Sequence, residues 1–123
     1  MGFQFTYKSE SRFTLRRAVF QAVDATAECW EYPTRAGKFN HARAAYIIKD
    51  LTEFAKEQLG LAAGLASGEP QSVRDAVHQA LSAAALGCWE HVDRAGRFDY
   101  EQATDIADAL TEFIERRIAE VTE

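Results

Sequence analysis

Arg16-Arg17-Ala18-Val19-Phe20-Gln21-Ala22-Val23 and Arg74-Asp75-Ala76-Val77-His78-Gln79-Ala80-Leu81 are two versions of one pattern, sharing Arg, Ala, Val, Gln and Ala at a constant offset. After one inserted residue near Gly87 the agreement continues. Cys29-Trp30-Glu31 falls on Cys88-Trp89-Glu90, Arg35-Ala36-Gly37 on Arg94-Ala95-Gly96, Phe39 on Phe98, and Leu51-Thr52-Glu53-Phe54 on Leu110-Thr111-Glu112-Phe113. Shared alanines are commonplace in helices, but three composite blocks in the same order are not. The chain therefore reads as an internal duplication, with repeat one over about 14–66 and repeat two over about 72–121. The period exceeds that of common helical solenoids and only two copies occur, so a closed bundle is expected rather than an open array.

Each copy spells helix, corner, helix. Leu15, Ala18, Val19, Ala22, Val23, Cys29 and Trp30 recur at three- and four-residue steps, which places them along one helical face. Thr14 and Ser72 are the expected N-caps, so the third helix starts near Val73. Its apolar stripe through Val77, Ala80, Leu81, Ala84, Cys88 and Trp89 predicts an end at Gly96 in the C′ position. Gly37 has the same role in copy one, where Pro33 can break the helix a turn earlier. The second helix of each pair opens at Asn40 or Asp99, with Phe39 or Phe98 just outside as a staple. Ile106, Ala107, Leu110, Phe113, Ile114, Ile118 and Val121 then form the cleanest amphipathic pattern, matched by Ile47, Ile48, Leu51, Phe54, Ala55 and Leu59. Gly60, Gly64, Ser67, Gly68 and Pro70 separate the copies, with helix two extending to about Ala66.

The expected fold is all-α: a single domain over 1–123, a four-helix bundle of two tandem-duplicated helical hairpins related by a pseudo-two-fold axis. Val19, Leu51, Phe54, Val77, Leu110 and Phe113 should be buried. Residues 1–13 form a short extended N-terminal arm in which Phe3-Gln4-Phe5-Thr6-Tyr7-Lys8 alternates with the two-residue period of a strand and has no counterpart in copy two. Such a segment pairs with another chain, lies over the bundle or stays disordered. With Leu61 and Leu65 it leads us to expect a homodimer.

Composition narrows the function. Of 123 residues, 47% are hydrophobic and 27% charged, which argues for a folded domain. No stretch approaches the ~20 apolar residues of a membrane span, and Met1-Gly2-Phe3-Gln4-Phe5 lacks the blocks of a signal peptide, so a cytoplasmic location is expected. A net charge of -5 disfavours nucleic acid as a partner, and it is too mild for a mimic of duplex phosphates. Cys29 and Cys88 read as reduced core residues, and no Cys/His cluster has zinc spacing.

Short corners put both ends of the hairpins at one pole of the bundle. That gathers Arg35, Lys38, Arg94 and Arg97 beside the N-termini of helices two and four, an arrangement suited to an anion or an acidic partner. The plainer alternative is that Glu31 with Arg35, and Glu90 with Arg94, are four-residue-spaced helix pairs worth about 0.2–0.5 kcal/mol each. Trp30 and Trp89 stand one turn before the pole, sealing the core or offering a surface to a partner. Tyr32 and His41 exchange places as His91 and Tyr100, so each corner holds one tyrosine and one histidine able to hydrogen-bond. His78 replaces Phe20 of the other copy and reads as alone.

Glu28-Cys29-Trp30-Glu31 and Asp50-Leu51-Thr52-Glu53 resemble the paired acidic motifs of all-α nucleotide pyrophosphohydrolases, a resemblance that implies magnesium binding. It covers the first hairpin only, and the order Asp-x-x-Glu departs from the family's Glu-x-x-Asp. Copy two has Leu86 and Ala109 in place of Glu28 and Asp50. No Glu-x-x-His is present for a di-iron bundle. The leading expectation is a non-enzymatic interaction or adaptor protein with a protein partner, no cofactor, no metal and no catalytic residue. A small nucleotide-binding or hydrolysing bundle is the second reading, and a stoichiometric inhibitor or immunity-type protein is the third.

Overall fold

Each helix opens where a short polar side chain can take up a free backbone N–H. In the computed structural model, which describes residues 14–29, 38–90 and 98–122, Thr14 Oγ1 accepts the Arg17 N–H at 3.1 Å and starts α1 (Leu15–Ala27). Asn40 Oδ1 accepts the Arg43 N–H at 3.0 Å and starts α2 (His41–Ala62). Ser72 Oγ accepts the Asp75 N–H at 3.2 Å at the head of α3 (Val73–Gly87). Asp99 Oδ1 accepts the Gln102 N–H at 3.0 Å at the head of α4 (Tyr100–Thr122). All four caps fall on residues whose oxygen satisfies a donor the helix cannot.

The helix ends depart from expectation. Helix α1 stops at Ala27 rather than near Gly37, its last turn tightened by Glu28 N–H to Ala25 O and Cys29 N–H to Thr26 O, each 3.1 Å. Helix α3 stops at Gly87 rather than Gly96. There the chain exchanges helical bonds for a short antiparallel ladder in which β1 (Lys38–Phe39) pairs with β2 (Trp89–Glu90) in the register Lys38↔Glu90 and Phe39↔Trp89. Gly87 lowers the cost of leaving the helix, and the ladder supplies the backbone partners that helix continuation would have supplied. Helix α2 also ends early, at Ala62. Gly64 at φ 76° takes the left-handed position, Leu65 N–H donates to Gly60 O at 2.8 Å and Gly64 N–H to Leu61 O at 3.2 Å, the paired bonds of a Schellman motif. Gln58, buried, then accepts the Gln71 N–H at 3.0 Å and ties the linker to α2.

Every helix packs against each of the other three. A square bundle keeps its diagonal helices apart. Here buried alanines, among them Ala18, Ala22, Ala44, Ala55, Ala84 and Ala107, shorten the distance between axes. Ile106, Leu110, Ile114, Val19, Val23 and Val77 fill the centre. The buried hydroxyls of Thr26, Thr52 and Thr111 donate to the carbonyls of Ala22, Ile48 and Ala107 at 2.7, 2.6 and 2.8 Å, so no hydroxyl in this set loses hydration without compensation. Of the expected core, Val19, Leu51, Val77, Leu110 and Phe113 are buried, whereas Phe54 is only partly so. Among the described residues no helix is long and apolar enough to cross a membrane. The N-terminal arm expected over 1–13 lies outside the described residues.

Candidate functional site

The two corners are joined to each other. Beyond the β1–β2 pairing, Asn40 N–H donates to Cys88 O at 2.7 Å and Asp99 N–H donates to Cys29 O at 2.9 Å. The first bond sets the start of α2 beside the end of α3, and the second sets the start of α4 beside the end of α1. Phe39 meets His41 edge-on at 5.0 Å, and Phe98 meets Tyr100 in the same way at 4.9 Å. The four helix ends therefore meet at one pole, although the corners that join them, 28–40 and 88–99, are longer than expected because α1 and α3 stop early. Arg35, Arg94, Arg97, Trp30, Tyr32 and His91 lie outside the described residues, and Lys38 and Trp89 enter only through their backbones in β1 and β2. Because Glu90 belongs to a strand, the helical four-residue pairing expected for Glu90 and Arg94 does not apply at its first member. His41 and Tyr100 each have a phenylalanine ring against them at the heads of their helices.

Both cysteines lie under this junction, buried and unpaired with each other. Cys29 Sγ approaches Ala25 O at 3.5 Å. Burial, reinforced by the Asp99 and Glu28 carboxylates, pushes the Cys29 thiol up to about 11. Burial also raises the Cys88 thiol, against an opposing pull from the Arg43 guanidinium. Neither is a thiolate at neutral pH, so these sulfurs act as small apolar core groups rather than nucleophiles. The charged neighbours are themselves exchanged between halves, Asp99 of α4 acting on Cys29 and Arg43 of α2 acting on Cys88.

A cleft of about 70 Å³ opens beside the pole, between α3 and α4. Phe98 and Tyr100 bound its corner side, Leu86 and Ala85 the end of α3, and His78 with Ser82 the wall further along. Tyr100 and Leu86 are large apolar side chains that stay exposed, at 66% and 45%. His78 is not alone. Its Nε2 lies 3.5 Å from Asp108 Oδ1 on α4, and Arg74, one turn before it, brings Nη1 to 3.0 Å from the same oxygen. Neither approach has hydrogen-bond geometry. A histidine backed by a carboxylate at a cleft wall is the arrangement general acid–base chemistry uses, but Asp108 here shares its oxygen with a guanidinium and clamps α3 to α4. With side chains 59% and 45% exposed, that ion pair is a weak clamp, worth about 0–1 kcal/mol. Sequence reasoning missed it because Arg74 and His78 are one turn apart while Asp108 arrives from another helix.

Of the acidic residues of the pyrophosphohydrolase resemblance, Glu31 lies outside the described residues. Glu28 caps α1, while Asp50 and Glu53 are exposed on α2. Among the described residues no three His, Cys, Asp or Glu side chains are placed to hold a metal ion. The chain matches no protein-family model, no curated protein and no solved structure.

Proposed function

We propose that this protein is an interaction module, a bundle of two tandem-duplicated hairpins related by a pseudo-two-fold axis, which binds an acidic protein partner at its corner pole. The observation that carries the reading is the reciprocal stitching of the corners, Asn40 to Cys88 and Asp99 to Cys29. Matched residues make matched bonds across the halves, and the duplication is supported further by the Thr14 and Ser72 caps, the Thr52 and Thr111 hydroxyls and the two phenylalanine edges. A pole built from both halves is where Arg35, Lys38, Arg94 and Arg97 would act together. Guanidinium forks suit bidentate contact with carboxylate or phosphate, so Arg35 and Arg94 should matter more than Lys38. The exposed Tyr100 and Leu86 beside the cleft supply the apolar contact that such a charged rim surrounds in protein interfaces.

The test is affinity capture from the source cell with mass spectrometry, using wild type and the double variant Arg35→Glu, Arg94→Glu. A partner retained by wild type, lost by the folded variant and released as salt rises is the expected result. Equal capture by both would return the arginines to solvated surface. A melting-temperature rise with magnesium and a nucleotide would instead move the protein to the hydrolase reading.

A further inference from the structure

Between α2 and α3 the surface opens into a groove of about 280 Å³, walled by Ile47, Leu51, Phe54, Ala76 and Ala80, with the exposed Asp50 and Gln79 beside them. The residues that match these in the other half are distributed over α1 and α4, and each is more buried than its counterpart. Ile106, Leu110, Ala18 and Ala22 are fully buried and Phe113 nearly so, whereas Ile47, Phe54, Ala76 and Ala80 keep solvent contact. One face of matched composition is closed, and the other is open in the single chain. The charge differs as well: Asp50 is the carboxylate of the open groove, and Ala109 occupies its place on the closed face.

We propose that the α2/α3 groove is the docking site for residues 3–8 of a second copy of this chain. Three features of the chain select that occupant. Phe3-Gln4-Phe5-Thr6-Tyr7 carries rings at alternate positions, which an extended backbone presents on one side, and the second half of the chain has no such segment. Lys8 follows directly, a cation able to meet Asp50. Five residues, 9–13, separate Lys8 from the Thr14 cap, a tether of ~20 Å at about 3.3 Å per extended residue, enough to step from α1 to a neighbouring molecule packed beside it. Reciprocal exchange of two such segments closes a two-fold dimer and leaves no open end for a filament. The corner pole has no part in this contact, so the two proposals stand or fall separately.

Sedimentation velocity at high micromolar concentration decides it. Wild type should run as a dimer, while a chain lacking residues 1–8 and the groove-filling variant Ala76→Arg should each run as monomers. Mixed together, those two should form a one-to-one complex, since one retains the groove and the other the segment. In case Ala76→Arg unfolds, the exposed Asp50→Lys change provides an independent probe. It should weaken the dimer about tenfold at low salt, and Lys8→Glu added to it should recover most of that loss. A monomeric wild type, a dimer that persists without residues 1–8, or an Asp50→Lys chain that dimerises like wild type would each overturn the proposal.

Discussion

Leu51 and Leu110 occupy matched positions and both are buried, yet one turn further on Phe113 is 6% exposed while Phe54 keeps part of its ring in solvent. The same contrast separates Ala22 from Ala80 and Ile106 from Ile47. Identical residues on identical helical faces thus bury different areas, because burial depends on what lies over a face as well as on the face itself. The inner stripe of each helix is determined by the partner helices and is equal in the two halves. At these positions the flank is covered more fully on the α1/α4 side.

That contrast can be broken by truncation. Phe113→Ala should cost about 3–5 kcal/mol, the range for a buried phenylalanine, and Phe54→Ala clearly less, since part of its area never leaves water. Urea midpoints read at constant slope check both. Equal losses would mean that the two faces are equally closed.

A second difference lies in the thiols. With Cys29 raised to about 11 from an ordinary 9.0, its thiolate at pH 8 should be ~100-fold scarcer than in the unfolded chain, so alkylation of the native protein should be slow. Cys88, with Arg43 opposing its burial, should label ahead of Cys29 in peptide mapping. The linkage has a definite sign. A thiol raised in the folded state contributes stability that is fully present below 9.0 and is lost as pH climbs through about 11, so the melting temperature should fall across that window.

Smaller effects sharpen the match between the corners. Asn40→Ala and Asp99→Ala each remove an N-cap bond and should cost about 1 kcal/mol. Thermal melts that separate them widely would show that the corners are not energetic equivalents. The smallest effect belongs to the clamp present in one half only. A double-mutant cycle on Arg74 and Asp108 should return less than ~1 kcal/mol of coupling, because both side chains are largely in solvent; the matching positions in the first half, Arg16 and Lys49, are both cations and can form no such pair.

The sequence by itself determined four helices, their starts and their inward stripes. Those are local properties: a hydroxyl, amide or carboxylate oxygen three residues before a free N–H, and apolar groups at three- and four-residue steps. Thr14, Asn40, Ser72 and Asp99 were legible for that reason, and so was the burial of Val19, Val77 and Leu110. Tertiary structure alone decided where α1 and α3 stop. The apolar stripe continues through Cys29-Trp30 and Cys88-Trp89, but the backbones of Cys88 and Cys29 are taken by Asn40 and Asp99, residues distant in the chain. It also decided that His78 faces Asp108 and that the α2/α3 groove stays open. Each depends on which helix arrives opposite and how closely, a relation that helical periodicity within one segment does not encode.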